Sequence, residues 1–150
     1  MIVKALTSDA EEITQVALIS KAYWGYSAEQ IDVWTDELTV SPSIIEEQQV
    51  YVFKENDSIV GFYVLNRPIG SQVELEFLFV LPRYIGKGLG KKLLEHAIEM
   101  AKQTTSCEVM MLYADPNAEP FYLRRGFHTI DHKESSIFGR TMPKMTYKLV

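Results

Sequence analysis

A glycine-rich turn between a strand-like run and a helix-like run constrains this chain most strongly. In residues 79–92 an apolar, β-type stretch passes through Pro82 and three alternating glycines, Gly86, Gly88 and Gly90, into a helical pattern. Residues without a Cβ let the backbone approach a ligand closely, and the first N–H groups of a helix have no intrahelical partner. Because those N–H groups can bind an anion, the turn is typical of a phosphate-binding site.

The spacing of the glycines disfavours two common nucleotide-binding motifs. A P-loop needs four residues between its first glycine and Gly-Lys-[Ser/Thr], whereas three separate Gly86 from Gly90, and Lys91 is followed by Lys92. The dinucleotide fingerprint needs a glycine three residues after Gly88, where Lys91 stands. Neither a nucleotide triphosphatase nor a hydride-transfer enzyme is therefore indicated. Taken alone, the turn could also be a tight strand-to-helix connection.

A second motif lies downstream, in residues 115–127. It reads Ala-x-x-Phe-Tyr-x-x-x-Gly-Phe, formed by Ala118, Phe121, Tyr122, Gly126 and Phe127. Together with residues 73–101, this motif resembles the GCN5-related N-acetyltransferase (GNAT) family. The resemblance implies an α/β fold with a mixed, mostly antiparallel central sheet flanked by helices. It also implies an N-acetyltransferase that moves an acetyl group from acetyl-CoA to a primary amine by direct transfer in a ternary complex.

The resemblance assigns the glycine turn and the strand before it to acetyl-CoA. In the family, main-chain N–H groups of the turn bind the pyrophosphate, and those of the strand hold the pantetheine arm and thioester oxygen. The implied cofactor-binding residues are Phe79, Val80, Arg83, Ile85, Gly86, Lys87, Gly88, Leu89, Gly90, Lys91, Asn117 and Tyr122. Ile85 departs from the pattern because the family usually has Arg or Gln there, so Arg83 or Lys87 is expected to supply the missing charge. Asn117 has a second interpretation as a helix N-cap.

Amine acetylation needs a neutral amine, a stabilised oxyanion and a proton for the leaving thiolate. In the family a glutamate on the strand before the glycine turn removes the amine's proton, so Glu74 and Glu76 are the candidate bases. Tyr122 matches the family tyrosine that protonates the thiolate, and its unperturbed pKa of about 10 keeps it protonated. The plainer alternatives are solvent-facing glutamates and a packed tyrosine.

Strict alternation along this strand predicts two faces. One face carries Glu74, Glu76, Leu78 and Val80, and the other carries Val73, Leu75, Phe77 and Phe79. The two carboxylates are thus expected to point the same way.

The resemblance places the acceptor pocket at the first two helices and at the connection before the last strand, where this chain carries several aromatic residues. The predicted substrate-binding residues are Tyr23, Trp24 and Tyr26, with Trp34, Phe138, Arg140 and Met142 as further wall residues. Such rings could bind a cation against their faces or enclose a small molecule, while core packing is the alternative role. The acceptor is a small-molecule or peptide amine, and the choice among a polyamine, an aminoglycoside, an amino acid and a protein N-terminus stays open.

The composition fits one domain over residues 1–150. A formal net charge of −5 argues against a nucleic-acid partner, which usually requires a basic surface. Cys107 is the single cysteine, so an internal disulfide is excluded and a reducing compartment is favoured. The chain has no apolar run of ~20 residues and no signal-peptide pattern, so we expect a cytoplasmic protein without a membrane partner.

Neither a metal site nor a defined assembly follows from the sequence. His96, His128 and His132 lack ligand-like spacing, and no set of cysteines or carboxylates completes a metal site, so we expect none. The oligomeric state is left open, a homodimer included.

Periodicity predicts a mixed order of strands and helices. The chain begins with a strand near residues 1–6, a helix opened by a capping-box pattern at residues 8–11 and ending near Ala22, and a second helix capped by Ser27 and running toward Leu38. A loop is expected at residues 41–43. Then follow strands near 50–53, 59–65 and 72–80, a helix to about Gln103, a strand at 108–113, a short helix near 118–125, and strands near 127–131 and 145–149.

Two rival functions remain at this point. One is a non-catalytic acyl-CoA-binding or regulatory domain on the same fold, motivated by Ile85. The other is a partner-binding domain whose glycine turn has no ligand. The presence of Tyr122 and of the strand glutamates favours the enzyme.

Overall fold

The structure is a computed structural model that describes residues 1–135 and 140–150. Within these residues seven strands form one sheet in the order β1-β2-β3-β4-β5-β7-β6. The strands are β1 (Ile2–Lys4), β2 (Gln49–Glu55), β3 (Ser58–Leu65), β4 (Gln72–Val80), β5 (Val109–Tyr113), β6 (His128–Glu134) and β7 (Thr141–Lys148). The helices are α1 (Ala10–Ala22), α2 (Ala28–Leu38), α3 (Pro42–Glu47), α4 (Leu89–Thr104) and α5 (Glu119–Leu123).

Neighbouring strands are antiparallel except β4 and β5, which are parallel. Helices flank the sheet on both faces, because β3 is buried on both sides and its side chains alternate between two apolar clusters. Tyr63 and Leu65 join the cluster beneath α4, whereas Phe62 and Val64 join the cluster beneath α1 and α2. This arrangement confirms the mixed, mostly antiparallel sheet flanked by helices that the sequence predicts.

The β2–β3 hairpin and α2 form as predicted, and each follows from local chemistry. The hairpin turns at Asn56 and Asp57, whose φ angles of 51° and 66° are those of the tight turn that matches strand twist. Ser27 caps α2 by accepting a hydrogen bond from the Gln30 N–H at 3.1 Å.

The predictions for the residues that precede α3 and α1 are wrong. The segment predicted as a loop at residues 41–43 begins α3, because the Ser41 hydroxyl accepts from the Ile44 N–H and proline suits a first helical turn. The capping box predicted at residues 8–11 does not form. Instead a 3₁₀ turn, Thr7–Asp9, precedes α1, and the Asp9 carboxylate accepts from the Leu6 N–H at 2.9 Å.

A β-bulge in β4 overturns the predicted alternation along this strand. Val64 pairs with Phe77 but Leu65 pairs with Leu75, so Glu76 is an extra residue without a partner in β3. The side chains beyond Glu76 therefore change faces. Leu78 and Val80 pack with Val73 and Leu75 in the cluster beneath α4, whereas Phe77 and Phe79 pack in the cluster beneath α1 and α2.

The parallel strands β4 and β5 are joined over a short distance. Their pairing in the described chain is Gln72 with Val109, Val73 with Met110 and Glu74 with Met111. Beyond these three pairs β4 continues to Val80 alongside β3 alone. The sheet therefore splits at its centre, on the carboxyl-end side of both strands.

Candidate active site

A large cleft lies where β4 and β5 separate. Its volume is about 990 Å³, at the upper end of the range for small-molecule sites. One wall is formed by residues 75–80 of β4 and by the glycine turn, and the other by residues 112–115 and α5. Lys21 of α1 and Trp34 of α2 also line it. The cleft therefore brings together the two motifs found in the sequence.

Two glycines of the turn have positive φ angles, which residues with a Cβ adopt only with strain. Gly86 and Gly88 have φ angles of 83° and 81°, and Gly88 is the N-cap of α4. A Cβ at either position would meet no heavy atom within 4 Å, and both glycines line the cleft. Gly90 follows in the first turn of α4, where a Cβ would lie 3.5 Å from the Phe121 ring.

Two arginines after α5 supply cations to the cleft wall. Arg124 and Arg125 line it, and the Arg125 guanidinium lies 4.9 Å from the centre of the Phe121 ring. The Arg125 Nε is buried without a hydrogen-bond partner among the described residues. A buried donor of this kind is costly unless a ligand or water satisfies it. The sequence signal was the Arg-Arg pair inside the second motif, which we did not assign to the site.

Tyr122 is packed between aromatic rings in the cleft wall. Its residue is 7% exposed, and its ring packs edge-on against Phe121 at 5.1 Å and Phe127 at 5.5 Å between centroids. Burial raises the pKa of the Tyr122 hydroxyl well above its ordinary value. The group is therefore protonated across the neutral range, as a proton donor must be.

The two strand glutamates occupy different environments. Glu76, the bulged residue, lines the cleft and is exposed. Glu74 is half-buried and lies outside the cleft lining. The pKa of Glu74 is raised, mainly by burial and to a smaller extent by the nearby charge of Glu76. A hydrogen bond with Asn66 acts in the opposite direction and lowers it. The bulge is what separates the environments of these carboxylates.

A polar cluster lies at the α1 side of the cleft, and of its charged residues only Arg140 is among those predicted from the sequence. We call Lys21, Asp115 and Arg140 the charged cluster. The Asp115 Oδ2 accepts from Lys21 Nζ at 2.6 Å, from Arg140 Nη2 at 3.0 Å and from the Tyr26 hydroxyl at 3.0 Å. The side chains of Lys21, Asp115 and Arg140 are 12%, 10% and 12% exposed. Two cations thus share one carboxylate in a nearly buried place.

The pKa values in the charged cluster follow from burial and pairing. Burial alone would raise the pKa of Asp115, but the hydrogen bond and charge of Lys21 outweigh it, and the pKa is lowered. Burial is the main cause that lowers the pKa of Lys21, against the opposing effect of Asp115. The cluster is further fixed by aromatic faces, since Lys21 and Arg140 lie 5.0 Å and 5.3 Å from the centre of the Trp34 ring.

A comparison with known proteins decides the family. A family model described as "Acetyltransferase (GNAT) domain" matches residues 24–149. The chain belongs to the GNAT acetyltransferase family. The family resemblance seen in the sequence is thereby confirmed.

This GNAT chain is similar to one curated protein in sequence and to two solved structures in fold. It is similar to the peptidyl-lysine N-acetyltransferase YjaB of Escherichia coli strain K12, with 29% identity over 109 residues, which are 72% of this chain and 69% of YjaB. Its fold is similar to that of the PaiA N-acetyltransferase from Thermoplasma acidophilum, solved in complex with coenzyme A, with a TM-score of 0.82, 24% identity and coverage of 99% and 98% of the two chains. A GCN5-related N-acetyltransferase from Rhodopseudomonas palustris gives a TM-score of 0.81, 22% identity and coverage of 99% and 94%.

The predicted site residues of this GNAT chain divide into two groups. Those that line the cleft are Trp24, Glu76, Phe79, Val80, Ile85, Gly86, Gly88, Gly90, Asn117 and Tyr122. Those that lie outside the cleft lining of the described chain are Tyr23, Tyr26, Glu74, Arg83, Lys87, Leu89 and Lys91.

The residues of the second group near the glycine turn have other contacts. Leu89 is buried in the core beneath α4. Arg83 and Lys87 lie over the Tyr84 ring at 5.1 Å and 5.3 Å. Lys91 extends from α4 toward Glu95, with 4.0 Å between the charged atoms. Arg83 and Lys87, from which a cofactor-binding charge was expected, thus lie outside the cleft lining, whereas Arg124 and Arg125 line it.

Some of the residues predicted for the acceptor pocket line the cleft and others do not. The lining residues are Trp24, Trp34, Arg140 and Met142. Tyr23 packs against the edge of Trp24, with 5.3 Å between ring centroids. Tyr26 supports the charged cluster through its hydroxyl. Phe138 lies outside the described residues.

Asn117 contributes to the cleft wall but not as a helix cap, so that alternative interpretation is wrong. Asp115 caps the 3₁₀ turn Pro116–Ala118, and its Oδ1 accepts from the Asn117 N–H and from Asn117 Nδ2, both at 2.9 Å. Asn117 therefore orients the same carboxylate that pairs with the cations.

A sequence signal for the charged cluster exists at Lys21. Ile13 and Ala17 are fully buried on α1, and Lys21 follows them at the same spacing of four residues. A lysine that continues a buried helix face needs a partner, because an unpaired charge there is costly.

Neither a metal site nor a membrane span is found in the part of the chain that the structure describes. Residues 1–135 and 140–150 contain no cluster of three His, Cys, Asp or Glu side chains that could hold a metal ion. No helix in these residues is long and apolar enough to cross a membrane. The His96 Nδ1 instead lies 2.7 Å from the Tyr63 hydroxyl.

Proposed function

We propose that this protein is an acetyl-CoA-dependent N-acetyltransferase that acetylates a primary amine by direct transfer in a ternary complex. The observation that carries the proposal is the shared cleft, where the glycine turn, Glu76 and Tyr122 line one continuous space. Family membership and the similarity to N-acetyltransferases from other organisms support it. A turn without a ligand would not require Tyr122 and Glu76 beside it.

The cleft fits acetyl-CoA in its shape and in its charge. Gly86 and Gly88 leave the backbone at the start of α4 uncovered, which suits a pyrophosphate group. Arg124 and Arg125 line the same cleft and would pair with phosphate oxygens. PaiA, which has the same fold, binds coenzyme A. When bound, acetyl-CoA supplies the acetyl group as a thioester.

The residues of this chain would perform two proton movements. Glu76 Oε accepts the proton of the attacking amine, directly or through water, and its exposed position lets it release that proton to solvent. Tyr122 Oη donates a proton to the departing thiolate. Phe79 and Val80 stay the proposed backbone contacts along β4, where the Val80 carbonyl is already held by the Ser20 hydroxyl at 3.0 Å.

A screen of amine acceptors with acetyl-CoA and detection of free thiol tests the function. We expect thiol release that depends on both the acceptor and the protein. Tight binding of acetyl-CoA without thiol release from any acceptor would favour the non-catalytic alternative. Failure to bind acetyl-CoA would overturn the proposal.

Gly88→Glu is expected to raise the Kd for acetyl-CoA at least about tenfold, a cost of ~1.4 kcal/mol. The new side chain would place bulk and negative charge where the pyrophosphate is proposed to bind. Calorimetry measures the Kd. Gly70→Glu is the matched control, because Gly70 also has a positive φ, of 61°, and lies outside the cleft lining. If Gly88→Glu and Gly70→Glu bind acetyl-CoA with equal affinity, the glycine turn is not part of the binding site.

Glu76→Gln is expected to lower kcat/KM by ~10²-fold at neutral pH, the lower end of the range for a general base. The loss should shrink as pH rises, because the amine then loses its proton without help. Glu74→Gln is the matched control and should change kcat/KM by less than about threefold, since Glu74 does not line the cleft. A pH–rate profile of Glu76→Gln that coincides with the wild-type profile would exclude Glu76 as the base.

A further inference from the structure

The charged cluster holds more positive than negative charge in a nearly buried place. Lys21 and Arg140 share Asp115, and each cation also lies against the ring of Trp34. From this arrangement we propose that the acceptor amine carries a carboxylate, and that Arg140 and Lys21 bind that carboxylate. The inference rests on the proposed N-acetyltransferase function and specifies its substrate class as small amino carboxylates.

The count of charges supports an anionic ligand. Among the described residues Asp115 is the carboxylate in contact with the two cations, so the cluster has a net charge of one positive unit. Residues 136–139, between Ser135 and Arg140, carry no charged side chain in the sequence. Glu37, whose charge acts on Lys21, and Glu134 also line the cleft, but both are exposed, so water screens their charges more strongly. A buried excess charge is costly, and a ligand carboxylate would neutralise it.

Arg140 retains hydrogen-bonding capacity for a ligand. A guanidinium has five N–H donors. Arg140 uses Nε toward the Tyr26 hydroxyl at 3.0 Å, Nη2 toward Asp115 and Nη1 toward the Ser135 hydroxyl. Three donations leave two N–H groups without a partner among the described residues. Because Arg140 lines the cleft, these donors suit the paired oxygens of a carboxylate.

The cluster is also preorganised. The guanidinium of Arg140 lies 5.1 Å from the centre of the Tyr26 ring, and that ring packs edge-on against Trp34 at 4.8 Å. Asn117 Nδ2 donates a hydrogen bond to the Asp115 Oδ1, the oxygen that does not contact the cations. A cation fixed in this way loses little side-chain entropy on binding, which increases affinity.

The rest of the cleft fits the other end of such a molecule. Glu76 lines the same cleft and is the proposed acceptor of the amine's proton. An amino carboxylate would bring its amine toward Glu76 and its anionic group toward Arg140. A polyamine without a carboxylate would add positive charge beside Lys21 and Arg140, where it is least favourable.

Calorimetry on the protein saturated with coenzyme A tests the inference without requiring turnover. The ligands are ω-amino carboxylates from glycine to 6-aminohexanoate, each paired with its primary amide. We expect the best carboxylate to bind at least about tenfold more tightly than its amide, as loss of a charge-assisted pair predicts. Arg140→Gln should reduce this ratio to less than about twofold. This variant leaves Lys21 and Asp115 as a balanced pair.

Lys133→Gln is the matched control, because Lys133 is an exposed cation that lines the same cleft outside the charged cluster. It should keep the preference for carboxylates. If Arg140→Gln does not fold, Arg140→Lys replaces it and should also reduce the preference for the carboxylate over its amide, because lysine lacks the paired N–H groups of arginine. The wild-type comparison of carboxylate with amide tests the inference in either case. A wild-type protein that binds no carboxylate more tightly than its amide overturns the inference. Equal or tighter binding of a lysine with both termini blocked, the peptide-like alternative, overturns it too.

The thiol-release assay separates this inference from the proposed function. Acetylation of amides or blocked lysine as efficiently as of amino carboxylates would overturn the substrate class and leave the N-acetyltransferase function intact. Tight, Arg140-dependent binding of amino carboxylates without thiol release would support the carboxylate site and overturn the enzymatic function.

Discussion

Replacing Tyr122 by Phe should lower the rate of acetyl transfer by ~10²–10⁴-fold, the range expected for loss of a positioned proton donor. The change removes one oxygen and keeps the ring, which packs against Phe121 and Phe127. Folding and affinity for acetyl-CoA should therefore stay close to those of the wild type. Since burial raises the pKa of Tyr122, the wild-type hydroxyl is a proton donor throughout the neutral range.

Single-turnover measurements are the appropriate readout for Tyr122→Phe. The protein is saturated with acetyl-CoA and mixed with the best acceptor, so that slow product release cannot hide the chemical step. Tyr147→Phe is the control, because Tyr147 also packs against Phe127, at 5.1 Å, but lies outside the cleft lining. A wild-type single-turnover rate in Tyr122→Phe would mean that Tyr122 packs in the wall and does not donate the proton.

Asp115→Asn should destabilise the fold by ~3–5 kcal/mol, the usual cost of removing one partner from a buried ion pair. Asparagine nearly preserves the shape and keeps an acceptor for the Asn117 N–H, but it leaves Lys21 and Arg140 without their shared carboxylate. Urea unfolding at neutral pH measures the change. Asp36→Asn is the control, because Asp36 is an exposed aspartate on α2, and its effect should stay within ~0.5 kcal/mol.

The pH dependence of this difference has a definite sign. The folded-state pKa of Asp115 is lowered, so its contribution to stability is fully present above the unfolded pKa of about 3.9. That contribution disappears as pH falls through the folded-state pKa. The difference in free energy of unfolding between the wild type and Asp115→Asn should therefore become smaller at acid pH.

Adding Arg140→Gln to Asp115→Asn should recover stability, because it removes one of the two unpaired cations. Equal stability of the wild type and Asp115→Asn at neutral pH would exclude the charge pairing as a source of stability.

The extent of β4 could be predicted from the sequence, but its bulge could not. The strand is bounded by a turn before Gln72 and by Pro82 after Val80, and both boundaries leave strong local signals. Residues 77–80 are apolar on both faces, because each face packs against its own cluster. A pattern without polar residues does not show which face a side chain occupies. The shift at Glu76 therefore left no trace in the periodicity.

The glycine turn and the motif that contains Tyr122 stand out in the sequence because their signals are local, whereas the charged cluster is a product of topology. Lys21 and Asp115 are 94 residues apart in the chain, and Asp115 and Arg140 are 25 apart. They meet because α1 packs against β3 and β4, and Lys21 near its end reaches the residues that follow β5 and precede β7. Nothing in the spacing of these residues encodes that meeting. A lysine on the buried face of α1 indicates only that a partner exists.

The short pairing between β4 and β5 has a mechanical consequence. The sheet is continuous through three residue pairs, and beyond Glu74 the backbone of β4 has no β5 neighbour. Its main-chain donors and acceptors on that side need a partner from outside the sheet. A ligand with amide groups along an extended arm can occupy the place of the missing strand. A ligand bound there would connect β4 to β5 beyond their three residue pairs. We therefore expect the sheet to be more rigid when the cleft is occupied.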